Sequence, residues 1–194
     1  MAIKSRPVYA GFNVDITAQQ HVLALEGQGA DALLEKLAGG HPMLERAEIL
    51  YVATGSDHDV ALRALGAANY WLAPTAEALR DRLSEILAHA TMCTRLYVAG
   101  TEGFIGSIVQ LAADFGIANA SIIKEFRGSQ QRRVQCVHCK GFNDNVTISP
   151  FQCVHCDLHL FVRDHFSVRL NAFQGVCINA ETPDIIPPSV EMYR

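Results

Sequence analysis

Two C-x-x-C turns, Cys136-Val-His-Cys139 and Cys153-Val-His-Cys156, stand thirteen residues apart in this chain. Each turn can place two sulfurs on one ion, and a loop of thirteen is long enough to bring the second pair to the opposite side as a hairpin. The predicted result is a small zinc ribbon with Cys136, Cys139, Cys153 and Cys156 as the ligands. Four thiolates also suit iron held as in rubredoxin, but the loop is short for that fold, so zinc is the expected ion. A disulfide framework is disfavoured: the opening Met-Ala-Ile-Lys-Ser-Arg-Pro has no apolar stretch of signal length, and the reducing cytosol keeps thiols free. A thioredoxin-type redox motif would occur once beside a βαβ unit rather than twice in tandem. His138 and His155, inside the turns, are expected as exposed knuckle residues and not as further ligands. Cys93 and Cys177 are expected to be unpaired and buried. Four protein ligands leave no position for water or substrate, so the expected role of the metal is structural.

The rest of the chain offers no nucleophile beside a base, no facial triad of two histidines and a carboxylate, and no haem attachment sequence. No catalytic residue is therefore expected here. Charge bears on the partners. Residues 1–125 carry 9 Lys or Arg against 14 Asp or Glu, and residues 126–194 carry 7 against 6. Neither part has the basic surface that phosphate binding requires, which speaks against a nucleic-acid adaptor, the commonest task of a zinc ribbon. Arg127, Arg132 and Arg133 cluster at the junction, where a solvated linker is favoured over an anion site. With 194 residues, 49% of them apolar and a net charge of −4, the chain can build one sizeable core plus a metal module. No apolar run approaches the roughly 20 residues that span a bilayer. A soluble cytoplasmic protein is expected, with neither membrane nor nucleic acid as partner.

Short apolar runs alternating with helical patterns must position whatever the first part of the chain does. His21–Leu25, Glu48–Ala53, Asn69–Ala73, Arg95–Ala99 and Ala120–Phe126 read as strands. Helices are predicted over Ala30–Lys36, from the Thr54–Asp57 turn through Leu65, after Thr75 as N-cap, and over Gly103–Phe115. Leu79, Leu83, Ile86 and Leu87 fall on one face of the third. The predicted fold is α/β, a parallel sheet covered on both faces, followed by a small β metal module of about three antiparallel strands. The expected domains are an N-terminal arm (1–19), a nucleotide-domain-like α/β part (20–126), the four-cysteine ribbon (127–179) and an extended, proline-bearing C-terminal arm (180–194).

A parallel sheet with glycine turns at its strand ends invites a dinucleotide, NAD(P), whose pyrophosphate needs exposed backbone amides at a helix N-terminus. The candidate cofactor-binding residues are Gly27, Gly29, Thr54, Gly100 and Thr101. Against this, Glu26 puts a negative charge where phosphate would lie, and the third glycine of the usual fingerprint is absent. The competing reading is a tight strand-to-helix turn at Gly27 and Gly29.

The succession His21–Leu34, Ile49–Ala53, Leu96–Phe104 and Ile122–Phe126 resembles the pyridine-nucleotide half of ferredoxin reductases over about residues 20–126. In that family a glycine-rich turn with Thr or Ser holds the pyrophosphate, and a Cys-Gly-Pro turn places a cysteine beside the nicotinamide. This chain carries Ala30 or Asp31 near the first position and Ala99-Gly100-Thr101 at the second. Only some twenty residues precede the first strand, too few for the flavin-binding barrel of the family. The whole chain, through the doubled hook and through Val162-Arg-Asp-His-Phe-Ser167 and Leu170-Asn-Ala-Phe173, resembles the small DmmA-type subunit of dimethylamine monooxygenase. That resemblance implies a complex that converts a secondary amine, oxygen and reduced nicotinamide nucleotide into methylamine, formaldehyde, oxidised nucleotide and water. Haem and the flavin or iron-sulfur groups would then sit on partner subunits, and this chain would be a non-catalytic assembly subunit bridging the haem and reductase parts. The stretch Arg163–Phe173, mixing charge with aromatics, would suit a partner surface. The alternatives are an electron-transfer component, binding NAD(P)H or redox iron, and a zinc-ribbon nucleic-acid adaptor.

Overall fold

The computed structural model describes residues 5–55, 57–182 and 185–194. Met1 to Lys4 of the expected N-terminal arm, Ser56 of the second turn, and Pro183 and Asp184 of the tail lie outside the described residues. The described chain forms two compact units, residues 9–128 and residues 129–194 together with 5–8.

Residues 9–128 form an α/β unit. Its elements run β1 (Gln20–Glu26), α1 (Gly29–Leu37), β2 (Ala47–Val52), α2 (Asp59–Ala64), β3 (Asn69–Ala73), α3 (Ala76–Leu87), β4 (Thr94–Gly100), α4 (Glu102–Asp114) and β5 (Ile122–Phe126). All strand pairs are parallel, in the order β3-β2-β1-β4-β5. The apolar runs lack alternation because both faces are buried: Val22 and Ala24 pack with Leu79, Leu83 and Ile108 of α3 and α4, whereas Leu23 and Leu25 pack with Leu33 of α1 and Leu62 of α2. Thr75 caps α3 as predicted, its Oγ1 accepting from the Ala78 amide at 3.1 Å, and the four predicted apolar residues of that helix are buried. The chain winds outward from β1 to β3 and returns to β4, so its direction reverses between the carboxyl ends of β1 and β4.

The expected N-terminal arm divides. Phe12 and Ala18 are buried in the α/β unit, while Ser5 belongs to the other unit, where it pairs with His165 of a bulged strand. A 3₁₀ turn over Pro42–Arg46 was not expected; His41 Nδ1 accepts from the Met43 amide and Pro42 opens it.

The second unit is a β unit, with β6 (Arg132–Cys136), β7 (Phe142–Val146), β8 (Ile148–Ser149), β9 (Phe151–Gln152), β10 (His159–Ser167), β11 (Ala172–Cys177) and β12 (Val190–Glu191). Its main sheet, β7-β6-β11-β10-β9, corrects the expectation of antiparallel strands alone, because β6 and β11 run parallel. The β10–β11 hairpin folds back beside the first hook, and Gly175 permits the approach: a methyl there would lie 2.8 Å from Val134 Cγ1. Along β10 the burial alternates, Leu160 and Val162 inward, Phe161, Arg163 and His165 exposed. Ser5 enters where this strand bulges, its amide donating to the Asp164 carbonyl and its carbonyl accepting from the Phe166 amide. The tail is tied to the unit, since β12 pairs with β8 and Tyr193 is buried.

The arginine cluster divides, with Arg133 exposed to solvent as expected and Arg127 and Arg132 engaged by carboxylates. Arg127 pairs with Glu35 and Glu125, Arg133 with Asp144. Arg132 is buried, 3.0 Å from Asp164, with its guanidinium between the rings of Phe173 and Tyr193. The expectation of buried spare cysteines is also corrected: Cys93 is exposed in the turn before β4, and Cys177 is half-buried at the end of β11 with Sγ 3.4 Å from Asn179 Oδ1.

Candidate functional site

The two hooks meet inside the β unit. The sulfurs of Cys136, Cys139, Cys153 and Cys156 all lie within 4.8 Å of one another. Cys136 and Cys156 are 3.8 Å apart, as are Cys139 and Cys153. Thiolates about 2.3 Å from a tetrahedral ion stand about 3.8 Å from each other, so the cluster fits one such ion. The hooks have the same backbone: the Lys140 amide donates to the Cys136 carbonyl and the Asp157 amide to the Cys153 carbonyl, both at 3.0 Å. The Cys136 and Cys153 amides donate onward to Gly141 and Leu158. Each turn closes with a left-handed residue, Lys140 at φ 64° and Asp157 at φ 59°. Cys136 and Cys153 are fully buried and form part of the β unit's core with Val134, Leu160 and Phe173.

Groups beyond the four sulfurs hold them in place. Buried Asn143 on β7 reaches 3.6 Å from Cys153 Sγ with Nδ2, while its Oδ1 accepts from the Val154 amide at 2.9 Å. Burial opposes ionisation of Cys153, but the His155 amide, the Asn143 side chain and the Cys156 amide all donate to its sulfur and hold the thiol down at about 6. At Cys156 the Leu158 amide favours ionisation; burial and the three neighbouring thiols outweigh it and push the thiol up to about 12. Four thiols this close ionise together only around a cation. Both knuckle histidines are exposed, and His155 Nε2 lies 2.8 Å from the Phe142 carbonyl with its ring against Gly141, where a methyl would collide with it. Among the described residues, the four cysteines are the group that could hold a metal ion. Asn143 was not singled out by the sequence, since one asparagine in a polar strand carries no spacing signal.

The glycine turns at the carboxyl end of the parallel sheet make a second assembly. Gly27 turns out of β1 at φ 48°, and a methyl on it would lie 2.5 Å from the Thr54 carbonyl. A methyl on Gly29 would collide with the Ala99 carbonyl at the end of β4. Gly100 abuts Glu26, whose Cβ would be 2.9 Å away from an added methyl. One carboxylate oxygen of Glu26 accepts from the Thr101 amide at 3.0 Å and from Thr101 Oγ1 at 2.6 Å. Thr101 in turn caps α4, its Oγ1 accepting from the Phe104 amide. At the start of α1 the Gly27 amide donates to Val52, Ala30 to Gly27 and Asp31 to Gln28. The five candidate cofactor residues are thus brought to one crevice, where they pack on each other and on Glu26.

Among the described residues, no helix is long and apolar enough to cross a membrane. Comparison with known proteins gives a consistent lineage. Residues 1–122 match the family model described as "Dimethylamine monooxygenase subunit DmmA-like, N-terminal domain", and residues 133–176 match the corresponding C-terminal domain. The chain is 34% identical over 110 residues to the heme-dependent oxidative N-demethylase delta subunit of Ectopseudomonas mendocina (strain ymp). That alignment covers 57% of this chain and 63% of the relative. Solved structures of similar fold include phthalate dioxygenase reductase, with TM-score 0.45, 12% identity and coverage of 70% of this chain and 47% of the other. Another is the flavohem-like FAD/NAD binding domain of nitric oxide dioxygenase from Vibrio cholerae, with TM-score 0.44, 20% identity and coverage of 63% and 56%.

Proposed function

The chain belongs to the DmmA-like family of dimethylamine monooxygenase subunits, and from that premise we propose that it is a non-catalytic assembly subunit of a cytoplasmic oxidative N-demethylase acting in amine degradation. The reaction of the complex would take dimethylamine, oxygen and NADPH with one proton to methylamine, formaldehyde, NADP+ and water. Haem, flavin and iron-sulfur groups would be carried by the haem and reductase subunits that this chain joins. The observation that carries the reading is the closed set of four thiols, which supplies a tetrahedral ion with every ligand it takes and leaves no open position for chemistry. Zinc bound there would fasten the hooks of the β unit. Exposed Phe161, Arg163 and His165 on β10 would then be presented as a contact surface on a fixed strand.

Elemental analysis and co-purification test this. One colourless zinc per chain is expected, and co-expression with haem and reductase subunits of a dimethylamine monooxygenase should yield one co-eluting complex. Cys136→Ser should abolish co-elution and leave the Soret spectrum of the haem subunit unchanged. Normal assembly of that variant would overturn the staple role; failure of the unsubstituted chain to co-elute would overturn the assembly role. Four thiols also accept iron, so iron with thiolate charge-transfer bands would move the chain into the electron path instead.

A further inference from the structure

The crevice between the carboxyl ends of β1 and β4 is where an open α/β sheet offers its ligand site, because the chain reverses direction there and helix N-termini converge on it. A dinucleotide uses that place through its pyrophosphate, which needs unoccupied backbone amides and a surrounding of neutral or positive charge. Both are compromised. The Thr101 amide and hydroxyl at the head of α4 donate to the Glu26 carboxylate. In α1 the amides of Ala30 and Asp31 are spent on the carbonyls of Gly27 and Gln28, and the Gly27 amide on Val52. The glycines that would let a pyrophosphate approach the backbone are covered by the chain's own atoms: Gly27 by Thr54, Gly29 by Ala99, and Gly100 by the side chain of Glu26.

We infer that this crevice is closed from within: the Glu26 carboxylate stands where the pyrophosphate of a dinucleotide would bind, as an internal ligand of the α4 N-terminus, and the α/β unit holds no nicotinamide nucleotide. A carboxylate is a fair substitute for one phosphate oxygen pair, being an anion that accepts from an amide and a hydroxyl at once. It also repels any phosphate that would share the site. Glu26 thereby joins the ends of two neighbouring strands, from the last residue of β1 to the cap of α4, 75 residues on. This inference does not depend on the assembly reading, since it concerns the purified chain alone.

The test is titration of the full-length chain with NADPH, NADH and inorganic pyrophosphate, by calorimetry and by nucleotide fluorescence. The unsubstituted chain should show no saturable binding up to about 1 mM, the weak end of specific affinity. Glu26→Ala removes the internal ligand and should gain saturable pyrophosphate binding, at least about tenfold tighter than the parent. Saturable NADPH binding by the unsubstituted chain would overturn the inference. So would silence of both chains, because the carboxylate would then not be what closes the crevice. Should Glu26→Ala lose its fold, the Thr101 amide resonance provides the readout. Its position should differ between the unsubstituted chain and Glu26→Gln, where the carboxylate acceptor is lost; an amide indifferent to the substitution would overturn the contact.

Discussion

In the α/β unit, Leu23, Leu50, Tyr51, Leu83 and Tyr97 are wholly buried between a parallel sheet and the helices on its two faces. The core of the β unit is smaller and of another kind: Val134, Leu160, Phe173 and Tyr193 pack around sulfurs, and a charged Arg132 lies between two rings. The first unit excludes water with hydrocarbon, and its stability follows from area removed from water. The second brings four ionisable thiols into its centre, an arrangement that favours folding only when a cation binds them. The contrast teaches where ligand dependence resides. On this reading the unit with a nucleotide-type topology should stand without a ligand, and the unit built around four thiols should depend on an ion.

The comparison breaks first, and by the largest margin, on metal removal. A strong chelator, or Cys153→Ser, should unfold the β unit by removing an interaction of about 10 kcal/mol. The α/β unit should remain folded. Trp71 of β3 is the chain's single tryptophan, so its fluorescence should stay native while the β signal in circular dichroism falls. A Trp71 signal that collapsed with the metal would show that the two units do not stabilise themselves separately. The converse experiment is Leu83→Ala. Leu83 is fully buried against the sheet, and its truncation should cost about 3 kcal/mol in chemical denaturation followed at Trp71. Metal content should be unchanged. A smaller effect is expected at the support of the metal: Asn143→Ala removes the side-chain donor to Cys153, and affinity measured by competition with a chromophoric chelator should drop about 10- to 100-fold.

What could be read before the structure divides along the same line. Val22–Leu25 and Tyr70–Ala73 are unbroken apolar runs inside the strands His21–Leu25 and Asn69–Ala73, and α3 carries a cap and a stripe, so local pattern placed them. The four thiols were legible because their spacing is itself the chemistry. The parallel pairing of β6 with β11 was not, since a register between Val134 and Phe173 depends on how a distant hairpin folds back. Arg132 illustrates the same limit: next to Arg133 in sequence it reads as solvated charge, yet Asp164, Phe173 and Tyr193 converge on it from remote segments. Glu26 was half legible. Its charge in a glycine turn marked a misfit for phosphate, but its acceptance of the Thr101 amide is a contact that no local pattern encodes.

The smallest expected effect sharpens the comparison inside the metal unit, where two hooks share one backbone and differ in a single demanding position. Lys140 and Asp157 each close a hook in the left-handed region, which costs an ordinary side chain about 1 kcal/mol or more and glycine almost nothing. Aspartate tolerates that region better than lysine, so the strain falls mainly on the first hook. Lys140 offsets part of it by folding its ammonium onto the Val137 carbonyl. Glycine there would relieve the strain, forgo that contact and loosen the unfolded chain. The balance is a stabilisation of roughly 0.5 kcal/mol for Lys140→Gly and a smaller one for Asp157→Gly. Both are measurable as shifts in the denaturation midpoint of the metal-loaded β unit. The midpoint of Trp71 should not move with either substitution. If Asp157→Gly proved the more stabilising, the hooks would differ in something other than their left-handed residues.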